Sequence, residues 1–131
     1  MSDGPTHRSR LGCLVIDCKT SELSDATDFW SKTFGYRALP DPAYPEYVML
    51  ETPDGEPKML LQAVDHDSRI HIDIEADDEE AEAGRLEGLG AKRIAAIKGW
   101  IVMEAPTGHR FCIVGPQRPD FETNATAWDN A

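Results

Sequence analysis

With 131 residues, 40% of them hydrophobic, the chain is sized for one domain with a real core, and its composition argues against disorder. A formal net charge of −11 disfavours nucleic acid and anionic membranes as partners, because both are recognised through cationic contacts. No apolar run approaches the roughly 20 residues that cross a bilayer, and Met1–Arg10 has no apolar stretch like a signal peptide, so a cytoplasmic protein is expected.

Leu11–Cys18 is a continuous apolar run around Val15 and Ile16 and reads as a buried strand, with Cys13, Val15 and Asp17 sharing one face. A helix follows from about Ser21 to Phe34. Leu23, Ala26, Trp30 and Phe34 form its apolar stripe, and Gly35 supplies the left-handed residue that stops it. Pro40, Pro42 and Pro45 then break regular structure before the strand-like runs Tyr47–Thr52 and Lys58–Val64, which Pro53-Asp54-Gly55 joins as a turn. In Lys58–Val64, Met59 and Leu61 alternate with Lys58, Leu60 and Gln62.

Ile70–Glu75 alternates strictly. Ile70, Ile72 and Ile74 are expected under helices, which turns His71, Asp73 and Glu75 to the opposite face. A second helix starts at Asp77 or Asp78, where the Asp77/Glu80 spacing resembles a capping box, and Ala83, Leu86 and Leu89 make its thin stripe before Gly90. The acidic run Asp77-Asp78-Glu79-Glu80 reads as an exposed helix N-terminus, and the spaced ligands and central glycine of an EF-hand are missing. Trp100–Ala105 and Arg110–Gly115 close the series as strands around the turn Pro106-Thr107-Gly108. Phe111 and Ile113 face the helix, and Arg110 and Cys112 face away. The tail, 116–131, is polar yet holds Phe121 and Trp128, so disorder and docking both stay open.

The chain is thus written twice. Ile16-Asp17-Cys18, a helix and Phe34-Gly35-Tyr36 are answered by Ile74-Glu75-Ala76, a helix and Leu89-Gly90-Ala91, and each half goes on in strands. The expected fold class is α+β: one domain over 1–131, built from tandem βαβββ units (about 11–64 and 70–115) that curve their sheet around a central cleft. Cys13, Cys18 and Cys112 are an odd set without a CxxC pair, which disfavours structural disulfides and a thiolate zinc site. His71 and Asp73 are candidates for acid/base chemistry. Gln62, Arg110, Cys13 and Cys112 are candidate cleft residues, and Trp100 is a candidate cleft wall.

These motifs resemble the vicinal oxygen chelate superfamily of glyoxalase I, extradiol dioxygenases and bleomycin-resistance proteins. The likeness runs from Leu11 to Gly115 and is carried by Leu14–Cys18, Asp28-Phe29-Trp30, Phe34-Gly35-Tyr36, His71-Ile72-Asp73-Ile74 and Pro106–Cys112. Among its members the chain looks most like the glyoxalase-like proteins of actinobacteria. The resemblance implies a homodimer and a small-molecule ligand. For metal-dependent members it implies four ligand positions, which fall near Cys13, Gln62, His71 and Cys112. Only His71 is a usual ligand type, and the expected glutamate is replaced by Cys112, so the implied divalent metal is not expected and neither is ordinary lactoylglutathione lyase activity. Four readings follow: a small-molecule binding protein; a metal-independent isomerase or lyase using His71 and Asp73; a metal-dependent lyase or dioxygenase with an atypical ligand set; and a dimeric interaction module.

Overall fold

The structure is a computed structural model that describes residues 5–97 and 99–129. Its elements are β1 (Pro5–Lys19), α1 (Ser24–Phe34), β2 (Ala38–Pro40), β3 (Tyr47–Leu50), β4 (Lys58–Val64), β5 (Arg69–Ala76), α2 (Glu79–Gly88), β6 (Lys92–Ile97), β7 (Trp100–Glu104), β8 (Arg110–Val114), α3 (Phe121–Asn124) and β9 (Thr126–Asp129). The βαβββ pattern therefore occurs twice, and the fold class is α+β. Among the described residues no helix is long and apolar enough to cross a membrane. The chain forms two compact units, one of Cys13–His71 and the other of Met1–Gly12 with Ile72–Ala131.

In the Cys13–His71 unit, β3 lies antiparallel to both β2 and β4, and β4 runs parallel to the second half of β1. Alternation along these strands sends Ile16, Val48, Leu50 and Leu61 to one side, where Leu23, Ala26 and Trp30 of the α1 segment close a core. The expected stripe ends early. Phe34 is exposed and stacks between Trp30 and Tyr36, with ring centroids 5.9 and 5.6 Å apart, because Tyr36 takes the place against the core. Gly35 ends the helix at φ 73° with its N–H on the Ser31 carbonyl.

The other unit repeats the plan. β8 lies parallel to β5 and antiparallel to β7, and β6 is antiparallel to β7. Ile101, Met103, Phe111 and Ile113 pack against Ala76 and Ala83. Asp78, rather than Asp77, caps α2, its carboxylate accepting the Ala81 N–H at 3.0 Å. Asp77 instead accepts the Arg8 N–H at 2.8 Å. Leu89, expected in the helix stripe, is exposed, and the buried Glu82 takes part of that face.

Two expectations fail on β5. Ile70 is 61% exposed and Ile72 is 38% exposed; only Ile74 joins the core of α2. The helix covers the end of the strand next to it and leaves the start bare, so alternation gave the sidedness without the depth. β1 also begins at Pro5 instead of Leu11, because its polar first half pairs with β9, a strand in the tail.

That tail is docked by charge and by aromatic packing. Arg118 Nε and Arg10 Nε donate to the two oxygens of the fully buried Glu75, each at 3.1 Å, and Arg10 Nη2 donates to Asp120 at 2.7 Å. The Arg10 hydrogen bond, helped by Asn124, holds the Asp120 carboxyl down at about 2. Further on, the Arg85 guanidinium lies 3.7 Å over the Trp128 ring and forks onto the buried Glu82 at 2.8 and 2.9 Å. Trp128 Nε1 donates to Ser9 Oγ at 2.8 Å. Burial pushes the Glu82 carboxyl up, yet hydrogen bonds from Arg85, His7 and Ser9 outweigh it and leave the group below its ordinary range.

Candidate functional site

The face of the Cys13–His71 sheet turned away from α1 is built from two register rows. Val15 lies beside Leu60, and Leu60 beside Met49, which makes an apolar row. One step along, Asp17 lies beside Gln62, and Gln62 beside Tyr47, which makes a polar one. Strand partners point the same way, so these six side chains form one floor. Val15 and Asp17 are buried, and the other four are half-buried.

His71, from the start of β5, joins the polar row. Its Nδ1 lies 2.7 Å from Asp17 Oδ2, and the Asp17 side chain is 2% exposed. A carboxylate oxygen accepts, so Nδ1 is the donor of this bond. Arg69 Nε adds a looser contact with the same Oδ2, at 3.6 Å. Asp17 Oδ1 is buried and has no hydrogen-bond partner among the described residues. Behind the strand, burial and then the Asp17 charge push the Cys18 thiol up, so it is a poor nucleophile. None of the three cysteines is in a disulfide among the described residues.

The candidate residues do not all gather. Gln62 sits in the His71–Asp17 row, whereas Cys13 is opposite Lys58. Cys13 lies four positions from Asp17 along the strand, about 13 Å at ~3.3 Å per residue. One ion cannot take donors that far apart, so Cys13 and Gln62 do not belong to one ligand set. The equivalence of the repeats also shifts. Asp17 is opposite Gln62 as Glu75 is opposite Val114, while Cys112, opposite Asp73, matches Leu60. In the register of the two repeats Gln62 and Cys112 are therefore not counterparts.

In the other unit Asp73, Cys112 and Val102 form one row, and Trp100 lies beside Val114 in the next. Arg110 is engaged by Glu104, its Nε donating to Oε2 at 3.1 Å, so its charge is largely answered within the strand pair. Asp17 and Tyr47 are the polar residues of this floor that the sequence reading did not single out. The signal for Asp17 was a carboxylate in the middle of an apolar strand, a position that charged residues rarely occupy unless paired. Tyr47 had no such signal.

An open depression of about 720 Å³ is lined by Gln62, Ala63, Val64, Asp65 and His66 on one side and Lys19, Thr20 and Ser21 on the other.

Comparison with known proteins bears on this geometry. The glyoxalase-like domain family matches residues 13–114, most of the chain. A search of curated proteins finds no match. Among solved structures the chain is similar to a hypothetical protein from Bacillus halodurans (15% identity, 84% of this chain and 96% of that one, TM-score 0.57). It is also similar to methylmalonyl-CoA epimerase from Mycobacterium tuberculosis (14% identity, 82% and 88%, TM-score 0.55). A variant of homoprotocatechuate 2,3-dioxygenase from B. fuscum matches over 88% of this chain but 34% of its own length, at 15% identity and TM-score 0.57. At such identities the likeness concerns the fold, and that fold is the one of the vicinal oxygen chelate superfamily.

Proposed function

The chain belongs to the glyoxalase-like family, and from that premise we propose that it binds a small organic molecule on the floor formed by Val15, Leu60, Met49, Asp17, Gln62 and Tyr47. One observation carries the reading: an apolar row lies directly beside a polar row that His71 completes. Small-molecule sites pair a mostly apolar lining with a few placed polar groups, which fix orientation. The ligand class is a compact molecule with an apolar body and a hydrogen-bonding end directed at Gln62 and His71. The open depression described above adjoins this floor at Gln62.

A thermal-shift screen with cationic and electrophilic metabolites tests this. A ligand raises the unfolding midpoint by mass action, and the shift is expected to shrink in Gln62→Ala and His71→Ala. Hits whose shifts are unchanged in both variants would place binding elsewhere.

A second reading is favoured by the 2.7 Å His71–Asp17 contact, which suits a metal-independent isomerase or lyase. His71 would then take and return a proton beside a substrate carbonyl. A His71→Gln variant that keeps the ligand-induced shift but loses solvent deuterium exchange into that ligand supports it; loss of both together refutes it. The homodimer belongs to the same proposal, with exposed Ile94 and Ile97 on β6 as apolar surface for association. Sedimentation showing only monomer at micromolar concentration would refute that part.

A further inference from the structure

We infer that Lys58 receives a carboxylate at one end of the floor, so that the ligand is an amphipathic monocarboxylate lying along β1 and β4. The inference rests on the proposed ligand floor and names the class of molecule it takes. Lys58 lies beside Cys13, in the row that precedes Val15 and Leu60, and strand partners point the same way, so Lys58 belongs to this face. All of these residues are in the Cys13–His71 unit. Lys58 is half-buried and makes no ion pair among the described residues. Carboxylates outnumber lysines and arginines in this chain, 24 to 13, and most of the described cations answer one. The register brings Glu51, which follows Leu50, toward Lys58, yet its carboxylate takes Arg37 Nη2 at 3.1 Å. Arg8 and Lys92 also lack an ion pair among the described residues, but Arg8 is in the other unit and Lys92 is exposed on β6.

The floor therefore changes character along the strands. It runs from a cation at Lys58, through the apolar row of Val15, Leu60 and Met49, to the polar row of Asp17, Gln62 and Tyr47. Lys58 and Gln62 are four positions apart, about 13 Å at ~3.3 Å per strand residue. A molecule that meets both has a charged end, an apolar middle and a neutral hydrogen-bonding end, in that order. The charge is negative and single. A half-buried ammonium attracts an anion more strongly than one in bulk water does. The buried Asp17 and the net charge of −11 oppose a second negative charge, so a carboxylate fits and a phosphate dianion does not. The far end is neutral because Gln62 offers an amide, which both donates and accepts, and a second carboxylate there would face Asp17.

The test is a ¹H–¹⁵N NMR titration of the whole protein with 8-hydroxyoctanoate, 1,8-octanediol and 8-aminooctan-1-ol, which share a body and a hydroxyl end and differ in charge at the other. The acid is expected to shift the Lys58, Leu60 and Gln62 amides and to bind about tenfold more tightly than the diol, the worth of one partly exposed charge-assisted hydrogen bond. The amine is expected to bind more weakly than the diol. Lys58→Met keeps an apolar stem and removes the charge, so acid and diol should then bind alike, while Gln62→Ala should weaken both. Lys58→Glu should make the amine the tightest of the three. Equal binding of acid and diol to the parent, or an acid preference that survives Lys58→Met, overturns the inference. So does the absence of any shift at those amides with millimolar acid. Where acid and diol bind equally and both depend on Gln62, the inference fails and the floor stands; where they shift only amides outside the floor, both fail.

Discussion

Gly12 is where the two halves of β1 divide between the units, and it is closed to any side chain. A Cβ built there would lie 2.9 Å from Glu75 Oε2 and 3.2 Å from both Glu75 Cβ and Cγ. A flexible surface glutamate would swing away. Glu75 cannot, since it is fully buried and its oxygens are held at 3.1 Å by Arg10 and by Arg118. Gly12→Ala must therefore push a pinned carboxylate or bend β1, and overpacking of this kind costs about 1–3 kcal/mol. For a chain of this length each kcal/mol moves the midpoint by roughly 2–8 °C. Gly84 is the control. It lies inside α2, exposed, and a Cβ there meets nothing within 4 Å. Gly84→Ala should gain about 0.5–1 kcal/mol from helix propensity alone. Urea unfolding of the parent and the two variants, at equal m-values, reads both effects. The reasoning fails if Gly12→Ala is neutral or stabilising, or if the two substitutions shift stability in the same direction.

Glu82→Gln should cost about 3–5 kcal/mol, since the amide keeps the shape but removes the buried charge that Arg85 and His7 share. Hydrogen exchange should then show β9 amides losing protection before those of β8. The Asp120 carboxyl, folded at about 2 against an ordinary 3.8, contributes stability that is fully present above about 3.8 and is lost as pH falls through 2. An NMR titration should find that midpoint, and Arg10→Gln should raise it. Cys18, pushed up by burial and then by the Asp17 charge, should react with iodoacetamide more slowly at pH 8 than a model thiol. Reaction as fast as the model thiol would contradict that environment.

Local periodicity carried much of this protein. The paired Gly35 and Gly90 each take positive φ, 73° and 106°, and close a helix, as the pattern predicts. Turns at Gly55 and Gly108 join antiparallel strands as read, with φ of 85° and 88°. The facing of Phe111 and Ile113 also follows from parity. Parity says which way a side chain points but not what lies over it, and so Ile70, Ile72 and Leu89 are bare where the pattern put them under cover.

The candidate site was less legible. His71 and Gln62 stand out by residue type, but Cys13 was grouped with them because strand register cannot be read from one strand alone. A shift of two residues keeps the face and moves the neighbour by about 7 Å. The tail was undecidable for a related reason. Its affinity for the body comes from Arg10, Glu75 and Arg118, which meet only across long stretches of chain.

Repeats, turns and the alternation of apolar positions are properties of neighbouring residues, and the chain encoded them directly as two βαβββ units. Pairing between distant strands is a cooperative outcome of packing, and it alone put Asp17 between His71 and Gln62 and left one carboxylate oxygen unanswered among the described residues.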